Sequence, residues 1–230
     1  MSDPRIATGM VRQLARRDAA VAGGATLRGW KVAFSTPAAQ QAAGVGQPLV
    51  GWLADASELP SGATVDVAGW ARPTVEAELA IHVGADVAPG GTLEDAAAAI
   101  AAVGAAIEVV DLDRPTSEVE EVAAAGLFHR HYVLGAADPA RAGGDASGIA
   151  ITGALDGETY GTQPDPTSVI GALPQVTRFV ADELGRHGER LRAGEVILAG
   201  SALPLQPVAA GRRLDVDAGP LGTLTLAFAG

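Results

Sequence analysis

The sequence predicts an α+β chain built on a largely antiparallel or mixed sheet system. Strand-like runs outnumber helical patterns. Hairpin and turn signals recur between those runs. No internal repeat, low-complexity tail or linker divides the 230 residues. The chain is 48% hydrophobic, with a mean hydropathy of +0.22, ample for one well-buried core.

Asp3-Pro4 reads as an N-cap followed by the first helical position, and Ile6, Met10, Leu14 and Val21 form a rough apolar stripe. A helix is therefore expected over residues 4–22, ended by Gly23-Gly24. "LRGWKVAF" (Leu27–Phe34) is a strand. "STPAAQQAAGVGQP" holds a short helix closed by glycines, "LVGWLA" is again strand-like, and "LPSGAT" is a loop. A strand follows over Val75–Val83, then the turn-rich "GADVAPGG". Thr92 with Asp95 three residues on is a capping-box pattern that opens the run "AAAAIAAVGAA", expected to be helical. It leads into a short apolar strand, Ala106–Leu112. "HYVLG" is another strand, and Asp156-Gly157 marks a hairpin. Residues 167–186 hold helical turns, with Pro174 opening a second segment. "EVILAGS", "RRLDVDA" and "GTLTLAF" close the chain as strands, the last two joined by a Gly-Pro turn.

Composition narrows the function. There is no cysteine, which excludes disulfides, thiolate metal sites and a cysteine nucleophile. The net charge of −11 and the 4% aromatic content argue against nucleic acid, since no basic cluster with interleaved aromatics is present. No window approaches a membrane span, and the charged N-terminus has no signal-peptide core. A soluble cytoplasmic protein is expected.

The segment "RPTVEAELAIHV" places Glu76 and Glu78 on one face of a strand, one pleat apart. Their Cα atoms are then about 6.6 Å apart, at roughly 3.3 Å rise per residue. Two like charges at that spacing repel unless a cation lies between them. Two readings follow: a solvated strand face, or half a site for a hard divalent cation that takes carboxylate oxygens. Glu108, which interrupts the apolar run before Asp111, is the best third ligand, because a buried unpaired carboxylate is costly. The alternative is a strand-end glutamate that reaches solvent. Lys31, set in "GWKVAF" among large apolar residues, is either an acid/base group or a snorkelling lysine.

Other constellations are weaker. His129 and His131 in "FHRHY" share a strand face but lack the downstream carboxylate that an HxH metal site needs. Ser201 in "LAGSAL" lacks the second glycine of a nucleophile elbow. Neither a P-loop nor a dinucleotide fingerprint is present.

The ordered set "GWKVAFST", "AAGVGQPLVGWLAD", "RPTVEAELAIHV", "AIEVVDLD", "GLFHRHYVLG" and "LRAGEVILAGSALPLQPVAAG" resembles the fumarylacetoacetate hydrolase superfamily. Its nearest branch is that of the 2-keto-4-pentenoate hydratases and 4-oxalocrotonate decarboxylases. The resemblance runs from about Leu27 to the C-terminus. It implies a mixed β-roll, with 1–230 as a single domain: an N-terminal helical segment over 1–26 and the catalytic core over 27–230. It also implies one Mg²⁺ or Mn²⁺ held by Glu76, Glu78 and Glu108, with Lys31 as the active-site lysine. The implied enzyme is a lyase of aromatic catabolism, a homo-oligomer acting on a small 2-oxo acid or 2-hydroxydienoate.

The chain departs from that pattern at several places. Leu49 stands where the hydratases carry an aspartate, which leans toward the decarboxylases and toward a drier site. "EVAA" (Glu121–Ala124) replaces "DNAS", so Val122 replaces a polar residue. The loop after Asp111 is shorter, and Leu203 stands where both branches have threonine. Substrate contacts are expected from His129, Ser201 and Leu49, with His129 replacing a lost polar contact. Acylpyruvate C–C hydrolysis is one alternative, and an altered or inactive metal-binding oligomer is another. An open cavity beside the glutamates with Lys31 directed into it marks an enzyme; a cavity plugged by Leu49 and Leu203 marks the inactive form.

Overall fold

The computed structural model describes residues 3–230. The chain runs α1 (Pro4–Ala22), β1 (Leu27–Ala33), α2 (Pro37–Ala43), β2 (Leu49–Ala54), β3 (Glu58–Leu59), β4 (Thr64–Asp66), β5 (Pro73–Val83), α3 (Leu93–Ala99), β6 (Ile100–Asp111), α4 (Val119–Ala124), β7 (His129–Leu134), β8 (Ile151–Leu155), β9 (Glu158–Gln163), α5 (Thr167–Ile170), α6 (Leu173–Gly185), β10 (Val196–Leu198), β11 (Gln206–Pro207), β12 (Arg213–Asp217) and β13 (Thr223–Ala229).

Two mixed sheets result. The larger has the order β2-β1-β10-β5-β6-β7-β3, with β11 also paired to β5; the smaller has the order β4-β13-β12-β8-β9. β1 runs parallel to β10, β3 to β7 and β4 to β13, and the other pairs are antiparallel. One face of the larger sheet carries Val75, Leu79, Ile81, Val103 and Ile107, which join Leu214, Val216 and Leu226 of the smaller sheet in the main core. No helix among the described residues is long and apolar enough to cross a membrane.

Local chemistry sets the element ends. Asp3 caps α1 by accepting from the Arg5 N–H at 2.9 Å. Gly9 lets α1 approach α4, since a Cβ there would lie 2.6 Å from Ala123 Cβ. Gln13 is buried on the same helix and ties it to both neighbours, donating to the Val50 and Ala123 carbonyls and accepting from the Trp52 N–H. Asp156 and Gly157 have φ of 54° and 84°, the left-handed pair that a tight hairpin between β8 and β9 requires. Pro174 lies in the first turn of α6.

One element differs from the sequence expectation. Thr92 and Asp95 form the capping box, but the helix stops at Ala99 and the rest of the alanine run is strand β6. Alanine favours a helix by only tenths of a kcal/mol per residue over ordinary residues. Here the run lies between β5 and β7, and every residue of β6 except Ala101 is buried. Two ladders and burial on both faces outweigh that propensity. The loop expected at Leu59–Thr64 is also framed by two short edge strands, β3 and β4.

Candidate active site

The antiparallel ladder of β5 and β6 sets Glu76 directly opposite Glu108, and Glu78 opposite Ala106. Opposed residues share a sheet face with Cβ atoms about 4.5–5.5 Å apart, and Glu78 lies one pleat from Glu76 on that face. Two paired strands thus deliver three carboxylates to one place. One oxygen from each lies within 4.8 Å of the other two. Glu78 and Glu108 are fully buried, whereas Glu76 is partly open.

Lys31 enters from β1, paired with Gly51 of β2 and Leu198 of β10. It is 1% exposed, so it does not snorkel. Its Nζ lies 2.6 Å from Glu108 Oε1 and donates to the Leu127 carbonyl at 3.2 Å. Gly51 leaves room for the stem, since a Cβ there would come within 3.1 Å of Lys31 Cγ and of Leu127 Cδ1. His129 Nδ1 lies 2.7 Å from the same Glu108 oxygen, and its Nε2 lies 3.0 Å from Ser57 Oγ. Glu78 Oε2 accepts from the Gly200 N–H at 2.8 Å.

Each buried carboxylate therefore has one oxygen occupied and one without a partner. Glu78 Oε1 and Glu108 Oε2 are buried and lack a hydrogen bond. Orphaned buried oxygens are costly, and a hard cation taking one oxygen per glutamate removes that cost. The donor set fits a divalent ion such as Mg²⁺ or Mn²⁺.

The electrostatics agree with that fit. Burial raises the Glu76 carboxyl to about 7, with Glu108 adding to the rise and Lys31 opposing it. Burial, then Glu108 and Glu76, push Glu78 well above the usual carboxylate range. Glu108 goes the other way: burial would raise it, but Lys31 and His129 hold it below its ordinary value. Burial disfavours the Lys31 ammonium, yet Glu108, Glu76 and Glu78 outweigh burial and hold its pKa above the usual lysine value. Three carboxylates face one ammonium, and the excess negative charge is what a cation would neutralise.

Lys31 and Glu76 form part of the lining of a cavity of about 560 Å³, walled by Phe34, Leu112, Phe128, Val169, Leu203 and Leu205. Three wall residues carry backbone that bulky side chains rarely adopt: Phe34, Leu127 and Phe128 have φ of 53°, 58° and 67°. The turn through Leu127 and Phe128 leads the chain from α4 into β7 and aims the Leu127 carbonyl at Lys31. After Leu198 the chain leaves the regular ladder. It keeps two bonds to β5, from the Ala199 N–H to the Leu79 carbonyl and from the Ala202 N–H to the Ala77 carbonyl, and it rejoins as β11. The irregular stretch supplies the Gly200 N–H and the cavity residues Ser201 to Leu205.

Four of the residues expected at the site, Lys31, Glu76, Glu78 and Glu108, lie together. Ser201 lines the cavity, its hydroxyl donating to the Leu203 carbonyl at 2.8 Å. His129 does not line it but holds Glu108. Leu49 is a correction: it is buried with Val122, Ile6 and Ala43 in a separate apolar cluster that also contains Leu127 and Phe128. It neither plugs the cavity nor touches it, because β2 turns that side chain toward α1 and α4. The drier-site argument for decarboxylation therefore loses its footing. Leu203 stands in the cavity wall and leaves the cavity open. His131 stacks on Trp70 with ring centroids 6.2 Å apart. Sequence reasoning missed Gly200, Ser57 and the Leu127 carbonyl, all of which act through backbone shape or a distant loop and have no residue-type signature.

A mixed two-sheet fold with a three-glutamate cluster, a buried lysine and an adjoining cavity has the parts of an active site that a divalent cation could complete. No family model matches the chain. Over 212 residues it is 31% identical to a 2-hydroxyhexa-2,4-dienoate hydratase of Comamonas testosteroni, covering 90% of this chain and 80% of that protein. Over 223 residues it is 31% identical to a 2-keto-4-pentenoate hydratase of Paraburkholderia phymatum, covering 94% and 83%. A solved 4-oxalocrotonate decarboxylase from Pseudomonas putida G7, complexed with magnesium and adipate, superposes with a TM-score of 0.86 at 27% identity, covering 94% of this chain and 83% of that one. The chain belongs to the 2-keto-4-pentenoate hydratase and 4-oxalocrotonate decarboxylase branch of the fumarylacetoacetate hydrolase superfamily. It is an enzyme of the lyase type.

Proposed function

We propose that Glu76, Glu78 and Glu108 hold one Mg²⁺ or Mn²⁺, and that Lys31 moves a proton during hydration or decarboxylation of a small 2-oxo acid or 2-hydroxydienoate. The observation that carries this is the convergence of three carboxylates, two with orphaned oxygens, beside a buried lysine at an open cavity. Such an ion supplies Lewis-acid polarisation of the substrate's carboxylate and 2-oxo oxygens.

The protein's own groups supply the remaining functions. Glu108 and the Leu127 carbonyl take two of the three ammonium protons of Lys31, which leaves the third for a substrate carbon or oxygen. Burial pulls the pKa of this amine down, and the neighbouring carboxylates, Glu108 first, more than offset it. Neutralising them therefore makes Lys31 a readier proton donor, as general acid–base work requires. His129, between Glu108 and Ser57, fixes the rotamer of Glu108. The Ser201 oxygen keeps lone pairs free to accept from a substrate hydroxyl. The same reading makes the enzyme a cytoplasmic homo-oligomer of aromatic catabolism, and light scattering tests the assembly.

The decisive experiment offers the Mg²⁺-loaded protein 2-hydroxypenta-2,4-dienoate and a 2-oxo-enedioate, and repeats both with Lys31→Ala. Turnover of either substrate that is lost in the variant, with Mg²⁺ binding retained, is the expected result. Unchanged turnover in the variant removes Lys31 from the chemistry, and no turnover of either substrate by the unmodified protein defeats the proposal.

A further inference from the structure

The cavity carries an inference about substrate choice that rests on the reading above. We infer that it selects 2-oxo or 2-hydroxydienoate acids whose far end is an uncharged apolar tail of several carbons, and that it rejects the matching diacid. At about 560 Å³ the cavity lies in the range that takes a drug-sized ligand, about 300–1,000 Å³. A five-carbon acid would leave most of it unfilled.

Its lining has two charged groups among the described residues, Lys31 and Glu76. The Lys31 ammonium lies against Glu108 at 2.6 Å, beside the glutamates where the acid's head is proposed to react, so its remaining proton does not serve the far end, and Glu76 repels an anion. The remaining polar groups are the hydroxyls of Ser35, Thr36, Thr116 and Ser201 and the amide of Gln163. The rest of the wall is apolar, and much of it is contributed by Phe34, Leu112, Phe128, Val169, Leu203 and Leu205. Arg114 and Arg130 follow Leu112 and Phe128 closely in the chain, but both bond Asp113, at 2.9 and 3.3 Å, and neither lines the cavity. A second carboxylate would therefore lose its hydration with no cation to receive it. An alkyl or aryl tail would bury against the same wall at a gain.

The test is calorimetric binding of two acids of equal length and identical head, 2-oxooctanoate and 2-oxooctanedioate, to the Mg²⁺-loaded protein. The monoacid should bind at least tenfold more tightly. Leu205→Arg should narrow that ratio by tightening the diacid, because Leu205 lines the cavity yet is 46% exposed, so the substitution leaves the fold intact. A diacid that binds as tightly as the monoacid overturns the inference, and so does failure of both acids to bind. Failure of the lyase reading would look different: the monoacid would still bind preferentially, but no dienoate would be turned over.

Discussion

At the scale of single residues, the site is a balance between burial and charge. Glu76 has its carboxyl raised to about 7 from an ordinary 4.5 in the metal-free protein. A group whose folded pKa lies above its unfolded one stabilises the fold fully below the unfolded pKa, and that stabilisation is lost as pH rises through the folded pKa. Glu76 therefore makes the metal-free protein less stable as pH rises from about 4.5 toward 7, and Glu78 acts with the same sign. Glu108 is shifted downward and Lys31 upward, so both act outside that window. A divalent cation competes with these protons. Thermal melts with Mg²⁺ and after chelation should show a larger metal-induced gain at pH 7.5 than at pH 5; an equal gain at both would contradict the assignment. Glu76, Glu78, Glu108 and Lys31 were legible in the sequence because chemistry-bearing residues stood in apolar strand patterns. Leu49 was misread because a residue's place beside a motif does not say which way its strand turns it.

At the scale of elements, the segment after β10 is the most demanding. Gly200 has φ of 105°, and a Cβ there would lie 2.7 Å from Ser35 Oγ. Gly200→Ala should cost about 1–3 kcal/mol of stability and weaken metal binding by pulling the N–H from Glu78. Denaturant melts and Mg²⁺ calorimetry on the one variant check both effects, and an unperturbed metal affinity would separate the glycine from the site. Thr92→Ala offers a contrast. It removes a capping box at the start of α3, outside the cavity lining, should cost about 1 kcal/mol, and should lower Tm by about 2–4 °C while leaving turnover unchanged. The caps of α1 and α3, the 156–157 turn and the start of α6 could all be read from sequence, since each is enforced locally. The switch from α3 to β6 could not, because neighbours distant in the chain decide it. The short edge strands β3 and β4 escaped for the same reason.

At the scale of the whole molecule, one ladder both holds the sheet together and builds the three-glutamate cluster. Shifting β6 by one residue against β5 would send Glu108 to the opposite face, so the proposed metal site requires the native pairing. Ligands that bind only the folded state stabilise it by mass action, about 2.7 kcal/mol at a hundredfold excess over Kd. Saturating Mg²⁺ should therefore raise Tm by several degrees, and Glu108→Gln should abolish most of that rise. A full rise in the variant would place the ion elsewhere. Leu49 and Val122, two departures from the family pattern that lie far apart in sequence, meet in one apolar cluster with Leu127 and Phe128. They read as a joint exchange of polar for apolar packing next to the cavity wall, with the carboxylates retained.

The stretch from Gly200 to Leu205 carries one further consequence. Its first amide steadies Glu78, and its next side chains wall the cavity. An occupant that presses on this stretch also acts on the grip of the glutamates. Thermodynamic reciprocity then applies: whatever factor the ion adds to the affinity for the acid, the acid must add to the affinity for the ion. On the proposed function, an acid that tightens this stretch around Glu78 should strengthen the hold on the ion by the factor that the ion adds to the affinity for the acid.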